Sequence, residues 1–284
     1  MLVLGIHNNT RIFDLAIYMP ILHGKLGKIL LWSIVVLILF FLAIPLFVVF
    51  PISLSASSYL EFPPKSLSSQ WYANYFSSHA WISATILSFK VALMVMAVAS
   101  IIGTTAAFGL NRGRFRWKGG VFVLILSPMI IPTIVISVGI YSFFAKLGLI
   151  ENYWGLVLGH SILATPFVFI NVFAALQGFD RTLEKASASL GANPIRTFYY
   201  ITFPLIRPGV FVGALFAFLV SFDELVISMW ISGSRHTLPV QMWMDVRLEI
   251  NPTLAAVSSL LIGLSILTFF SAEAVRRRTE RKYG

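Results

Sequence analysis

Two adjacent acids, Asp223 and Glu224 in the stretch SFDEL, are the only carboxylates well inside any long apolar run of the chain. A charge in such a place is costly unless it faces a cavity or an opposite charge. The two acids therefore point either to a pathway for a cationic, ammonium-bearing solute or to a structural ion pair. Lys90, the one basic residue within an apolar run, is the natural partner for such a pair. Snorkelling to the membrane surface is the third option. If the run is one helix, neighbouring residues project about 100° apart, so one acid faces a groove and the other a neighbouring helix. Trp230 and Trp243 fit either the wall of a vestibule or an interfacial aromatic belt. His160 reads as a satisfied interior histidine before it reads as a ligand. Other chemistry has nothing to start from. The chain has no cysteine, and its five histidines form no HExxH and no i, i+4 pair. No metal site and no catalytic constellation is expected. No GxxxxGK[ST] is present either, so ATP binding is not expected of this chain.

The elements that must carry these residues follow from composition. Of 284 residues 58% are hydrophobic and 11% charged, with a mean hydropathy of +0.86. A soluble chain averages about 25% charged residues, so lipid must cover part of this one. The reading is an all-α polytopic membrane protein with six spans, near 29–53, 82–110, 120–145, 154–178, 208–232 and 253–274, each close to the length a bilayer needs. Residues 1–28 form a leader, 29–274 a single transmembrane domain and 275–284 a basic tail. The first apolar run is longer than the core of a cleaved signal peptide, so a retained span is expected. Pro128, Pro132 and Pro166 are expected to kink the third and fourth spans. Basic residues set the orientation. Three in the leader, four between spans two and three, four between spans four and five, and five in the tail lie on one side. Only Lys65, Lys146, Arg235 and Arg247 lie on the other. The positive-inside rule then places both termini in the cytoplasm. The net charge of +10 needs no nucleic-acid partner. On the opposite side Trp71, Tyr72, Tyr75, Phe76 and Trp81 read as an aromatic belt or as a surface for an external partner.

The connection 179–207, which LEKASASLGANPIRTFYYITFPLIRPG at 183–209 overlaps, is neither a span nor a plain linker. Asp180 or Thr182 can cap a helix. Leu183, Ala186 and Leu190 share one helical face, and Gly191 supplies a left-handed stop. Asn193–Pro194 reads as an N-cap followed by proline in the first turn. Ile195, Phe198, Tyr199 and Thr202 repeat the apolar spacing until Pro204 and Pro208, which are expected to end that helix and start the next span. Two short amphipathic helices at a Gly–Ala–Asn corner can lie on lipid or dock in a groove of a cytosolic protein.

This segment resembles the EAA loop of the permeases of type I ABC importers, whose pattern is E-A-A-x-x-x-G followed ten residues later by I-x-L-P. Gly191, Ile201 and Pro204 fall at the family's Gly, Ile and Pro. At the family's Glu this chain has Lys185, followed by Ala186 and Ser187, with Glu184 one place early and Ala192 just after the glycine. LSPMIIPTIVISVGIYSFFAKLGL at 126–149, GHSILATPFVFINVFAAL at 159–176 and SFDELVISMWISGSRHTLPVQMWMDVR at 221–247 are similar to the spermidine/putrescine-type subfamily. The resemblance implies a permease fold in the bacterial inner membrane. It implies a second permease subunit, usually a different chain, and two cytosolic ATPase subunits that use ATP and Mg and dock on Glu184, Lys185, Ala186, Ser187, Gly191, Ala192, Ile201 and Pro204. It also implies an external solute-binding protein. The expected function is binding-protein-dependent import of polyamines or related amines by alternating access, or of another small solute such as an amino acid, opine, iron or anion. An ATP-independent carrier would not need the Gly-cornered cytoplasmic helix pair. An intramembrane enzyme would need facing acid pairs or a Ser/His dyad, and a channel would need a filter loop. Neither is visible.

Overall fold

In the computed structural model, residues 25–248 and 251–266 are described. Expectations that fall on the leader up to residue 24, on the basic tail and on residues 267–274 of the sixth span lie outside the described residues. Among the described residues the secondary structure is helical, with one isolated antiparallel bridge between Ser55 and Leu67.

Two units are distinct. The first comprises the chain up to Asn74 and from Asn251 onward. It holds α1 (Lys25–Ser53) and α12 (Thr253–Ile266). Most apolar side chains of α1 are exposed, as a lipid-facing span requires. The Tyr72 hydroxyl lies 2.7 Å from both the Ser53 and the Ser259 hydroxyls, and Asn74 Nδ2 donates to Thr253 Oγ1 at 3.2 Å. The indole of Trp71 donates to the Ser55 carbonyl at 2.8 Å. Among the five aromatics expected at the interface, Tyr75 and Trp81 are instead buried, and Tyr75 shares a hydrogen bond of 2.9 Å with Thr85.

The second unit runs from Tyr75 to Ile250. Its elements are α3 (His79–Arg112), α4 (Lys118–Ile130), α5 (Thr133–Lys146), α6 (Tyr153–Gln177), α7 (Thr182–Ser189), α8 (Pro194–Thr197), a π turn (Phe198–Thr202), α9 (Phe203–Phe222), α10 (Val226–Ile231) and α11 (Leu238–Leu248). The short α2 (Gln70–Ser77) crosses the boundary between the units. The core is a three-helix contact among α3, α6 and α9, with α6 at the centre. Small residues make it close. A Cβ on Gly103 would fall 2.7 Å from Val168 Cβ, and one on Gly213 would fall 2.8 Å from Val168 Cα. Without a hydrophobic drive between helices in lipid, such close backbone packing is the main source of association.

Four helices are long and apolar enough to cross a membrane among the described residues, or five if α4 and α5 are counted as one bent span. Three sequence expectations are corrected. The span expected at 120–145 is not a kinked helix but two helices bent by 106° at Ile131–Pro132. Pro132 holds the preceding Ile131 extended, at φ −76° and ψ 132°, and so ends α4. The span expected at 208–232 stops at Phe222, breaks at Asp223–Leu225 and resumes as the short α10. Pro204 and Pro208 do not end a helix: the chain is continuously helical from Pro194 to Phe222. The Phe203 amide bonds to the Phe198 carbonyl, five residues back, which makes the turn ahead of Pro204 wide. A wide turn there relieves the clash between a proline ring and the carbonyl four residues behind it. Pro166 sits within an unbroken α6. Within 253–274, α12 is described only to Ile266.

Candidate functional site: a cleft between two broken helices and a cornered helix pair

The break at Asp223–Leu225 is stabilised from two directions. Glu224 Oε1 accepts the Ile227 amide at 2.9 Å and so caps the start of α10. His160 of α6 is fully buried between the two half-helices. Its Nδ1 lies 2.9 Å from Ser221 Oγ of α9, and its Nε2 lies 3.0 Å from Ser228 Oγ of α10. One nitrogen of a neutral imidazole donates and the other accepts, and serine hydroxyls serve either role. His160 is therefore a satisfied interior histidine that clamps the break.

Glu224, half-buried, lines a cleft of about 420 Å³. The opposite wall is the α4–α5 bend, from Pro128 to Thr133. Leu163 and Phe167 of α6 and Val220 of α9 complete it. Among the described residues, Glu224 is the only ionisable one in that lining. Two interrupted helices thus face one mostly apolar cleft with a single carboxylate, an arrangement that suits an alkyl chain ending in a cation. Helix breaks inside membrane bundles are tolerated where they line a cavity.

The other residues singled out by sequence sit elsewhere. Asp223 is exposed and does not line the cleft. Lys90 is exposed, its carbonyl accepts the Tyr153 hydroxyl at 3.0 Å, and no ion pair joins it to Asp223 or Glu224 among the described residues. The structural-pair reading of Lys90 is thereby overturned. Trp230 packs edge-on against Tyr141 at 5.6 Å, and Trp243 carries the Arg247 guanidinium at 4.9 Å. Among the described residues no group of His, Asp and Glu side chains is arranged to hold a metal.

The helix pair at 182–202 is built by local chemistry. The Asp180 carboxylate accepts the Thr182 amide at 2.9 Å and its hydroxyl at 2.6 Å, which holds Asp180 below the usual carboxylate range. Helix α7 ends with Gly191 at φ +84°. The Gly191 and Ala192 amides bond back to the Ala188 and Ser187 carbonyls at 3.0 and 3.1 Å, a Schellman stop. Nothing lies within 4 Å of a Cβ placed on Gly191, so backbone conformation alone demands glycine. Asn193 Oδ1 then accepts the Arg196 amide at 2.8 Å, with Pro194 in the first turn of α8.

The two helices present opposite characters on two sides. Leu183, Leu190, Ile195, Tyr199 and Tyr200 are exposed, with Leu190 at 89% and Tyr200 at 78%. Lys185, Ala186 and Pro204 are exposed as well, whereas Ser187, Ala192 and Ile201 are half-buried. The expected Ile195–Phe198–Tyr199–Thr202 face is split: Thr202 is buried and Phe198 half-buried, while Ile195 and Tyr199 point outward. Glu184 faces inward, where its Oε1 accepts both Arg112 Nη2 and Thr202 Oγ1 at 2.8 Å. Neither Arg112 nor Thr202 was expected from sequence as a partner of Glu184. A partner 72 residues away leaves no local pattern to find.

Comparison with known proteins gives a consistent picture. The family described as binding-protein-dependent transport system inner membrane component matches residues 99–281. The chain is 32% identical over 264 residues to the putrescine transport system permease protein PotI of Escherichia coli K12, covering 88% of this chain and 92% of that one. It is 31% identical over 215 residues to the spermidine/putrescine transport system permease protein PotC of Haemophilus influenzae, covering 75% and 84%. Among solved structures, a bacterial ABC transporter involved in the import of alginate aligns at a TM-score of 0.68 and 15% identity, over 97% of this chain and 99% of that one. The MetNI methionine ABC transporter aligns at 0.52 and 19%, over 71% and 98%. At these identities the structural likeness speaks for the fold.

Proposed function

The chain belongs to the family of binding-protein-dependent transport system inner membrane components, and from that premise we propose that it moves a small cationic amine inward past Glu224. It is a permease subunit of an ABC importer, not an enzyme, and ATP is hydrolysed on a separate subunit. The observation that carries the substrate class is the cleft itself: one carboxylate at a helix break, facing an apolar wall. The names of the relatives, putrescine and spermidine/putrescine permeases, support the same reading.

In this account the chain spans the membrane six times with both termini in the cytoplasm, as the distribution of basic residues favours. Residues 29–274 form one transmembrane domain with a basic tail behind it. It pairs with a second permease subunit, and together they receive the amine from an external binding protein. Two cytosolic ATPase subunits, which use ATP and Mg, dock on the outward apolar face of 182–204. Leu183, Lys185, Ala186, Leu190 and Ile195 supply exposed contact surface. Gly191 and Pro204 shape it, while Ser187, Ala192 and Ile201 support it from beneath. Glu184 serves from the inner side. Nucleotide state and the loaded binding protein bias an inward-open and an outward-open arrangement through different affinities for each. Asp223, Lys90 and Trp230 lie outside the Glu224 cleft and are assigned to the entrance region.

The test is uptake of labelled putrescine into proteoliposomes containing the assembled importer, with competitors of different charge. ATP-dependent uptake that is blocked by excess spermidine, and not by neutral or acidic solutes of similar size, is expected. Equal competition by neutral amino acids would overturn the cation assignment.

A further inference from the structure

Glu184 is the meeting point of three separate elements. It belongs to α7, its donors Arg112 and Thr202 belong to the end of α3 and to the π turn, and both bonds are 2.8 Å long. The arrangement is well enclosed. Thr202 is buried, and the side chains of Arg112 and Glu184 are only 16% and 19% exposed. The Arg112 guanidinium lies over the Phe108 and Phe179 rings at 5.9 and 5.5 Å. A second tie reinforces it. Arg112 Nη1 donates to Asn111 Oδ1 at 2.8 Å, and Arg181 Nη2 donates to the Asn111 carbonyl at 2.7 Å and to Asn111 Oδ1 at 3.0 Å. The start of the helix pair, at 181 and 184, is thus fastened to the last two residues of α3, and Glu184 carries the tie on to Thr202 at the far end of the pair.

Helix α3 has 34 residues, which is about 50 Å at 1.5 Å per residue. It packs along α6 and α9 over much of that length, through Val91, Val95, Ala99, Gly103 and Ala107. A rigid helix fastened at its tip moves with whatever holds the tip. An exposed ion pair could not do this, because water and side-chain freedom dissipate it. A largely enclosed one resists separation, since parting it leaves each charge poorly solvated. The opposite side of the helix pair carries Leu183, Leu190, Ile195 and Tyr200, all exposed.

We propose that Arg112 is a positioning residue for coupling: through Glu184 and Thr202 it latches the 182–202 helix pair to α3, so that displacement of the pair moves this span as one body with it. This rests on the reading of the chain as an importer permease with an ATPase docked on that pair. It assigns the transmission to α3 to one side-chain junction, and it explains why the acid stands at 184: there it turns inward to Arg112 and Thr202, while Lys185 is left exposed.

The experiment uses the complete importer in proteoliposomes and reads amine taken up per ATP hydrolysed, together with the amount of ATPase that copurifies. In Arg112→Gln the ATPase is expected to copurify and hydrolyse ATP, while uptake per ATP falls about fivefold, within the range by which single contacts modulate coupling. Thr202→Val, which keeps the ion pair, is expected to give a smaller loss in the same ratio. The exchange Arg112→Glu with Glu184→Arg is expected to recover most of what either single change loses. Unchanged uptake per ATP in Arg112→Gln, or no recovery in the exchange, overturns the latch. If Arg112→Gln fails to reach the membrane, a wild-type ratio in Thr202→Val overturns it too. Failure of the underlying importer reading looks different: the unaltered complex would then show no ATP-dependent uptake at all.

Discussion

Glu224 does two things at once: it caps α10 through the Ile227 amide and, among the described residues, it is the only ionisable group of its cleft. Glu224→Gln keeps an acceptor oxygen for the cap and removes the charge. A charge-assisted contact is worth about 1.5–3 kcal/mol, so the KM for a diamine is expected to rise about tenfold or more, with folded protein at wild-type level in the membrane. Asp223→Asn, exposed and outside the cleft, is expected to change KM by less than about twofold, as surface charges do. A larger effect at 223 than at 224, read from uptake kinetics, would reverse the two roles. At Gly191 backbone conformation decides what the position tolerates. A side chain at φ +84° costs about 1–2 kcal/mol, so Gly191→Ala is expected to weaken ATPase copurification although the added methyl group meets open space. The positions Gly191, Asn193 and Pro194 were legible in sequence because stop and cap chemistry acts within a few residues. The Glu184–Arg112 pair was not, because it joins positions 72 residues apart and only the folded chain shows it.

At the scale of elements, the interrupted helices are where sequence reading and structure part. Pro132 announces a break, but its size, 106°, follows from packing rather than from any local signal. Asp223–Leu225 contains neither Gly nor Pro, and an apolar run from 208 to 232 reads as one helix. What opens it is tertiary: Glu224 caps the new start, and His160 reaches from α6 to hold both sides. His160→Ala would leave two buried hydroxyls without partners and a void between half-helices. A destabilisation of about 3 kcal/mol is expected, measured as a lowered thermal midpoint in detergent, along with weaker amine uptake. An unshifted midpoint would mean that the break stands without the clamp. The misread at Pro204 has the opposite sense. Proline usually marks a helix end, but one wide π turn lets the helix run from the corner at Pro194 directly into α9. Motion of the helix pair therefore needs no flexible joint to reach α9. On the same scale, Gly213→Ala pushes a methyl group to within 2.8 Å of the Val168 backbone. It is expected to cost about 1–3 kcal/mol through overpacking of α6 against α9, again visible as a lowered midpoint.

Over the whole molecule, composition alone was decisive for class: a chain 58% hydrophobic and 11% charged must be covered by lipid. Orientation rests on where the charges fall, and the chain offers a clean way to test it, since it contains no cysteine. A single cysteine at the exposed Ser58 is expected to react with a membrane-impermeant thiol reagent in intact cells, and one at the exposed Ser189 only after permeabilisation. The reverse labelling would invert the topology and place the helix pair away from any cytosolic ATPase. The account as a whole joins two sites in one machine, the Glu224 cleft and the 182–202 helix pair. It is tested most directly by accumulation of a labelled diamine in proteoliposomes carrying the complete importer, with ATP hydrolysis followed in the same vesicles. Accumulation is expected to require ATP in the unaltered complex, and in Glu224→Gln to fall at least about tenfold at subsaturating diamine while hydrolysis continues. Accumulation that proceeds without ATP, or that is unchanged by Glu224→Gln, would contradict it.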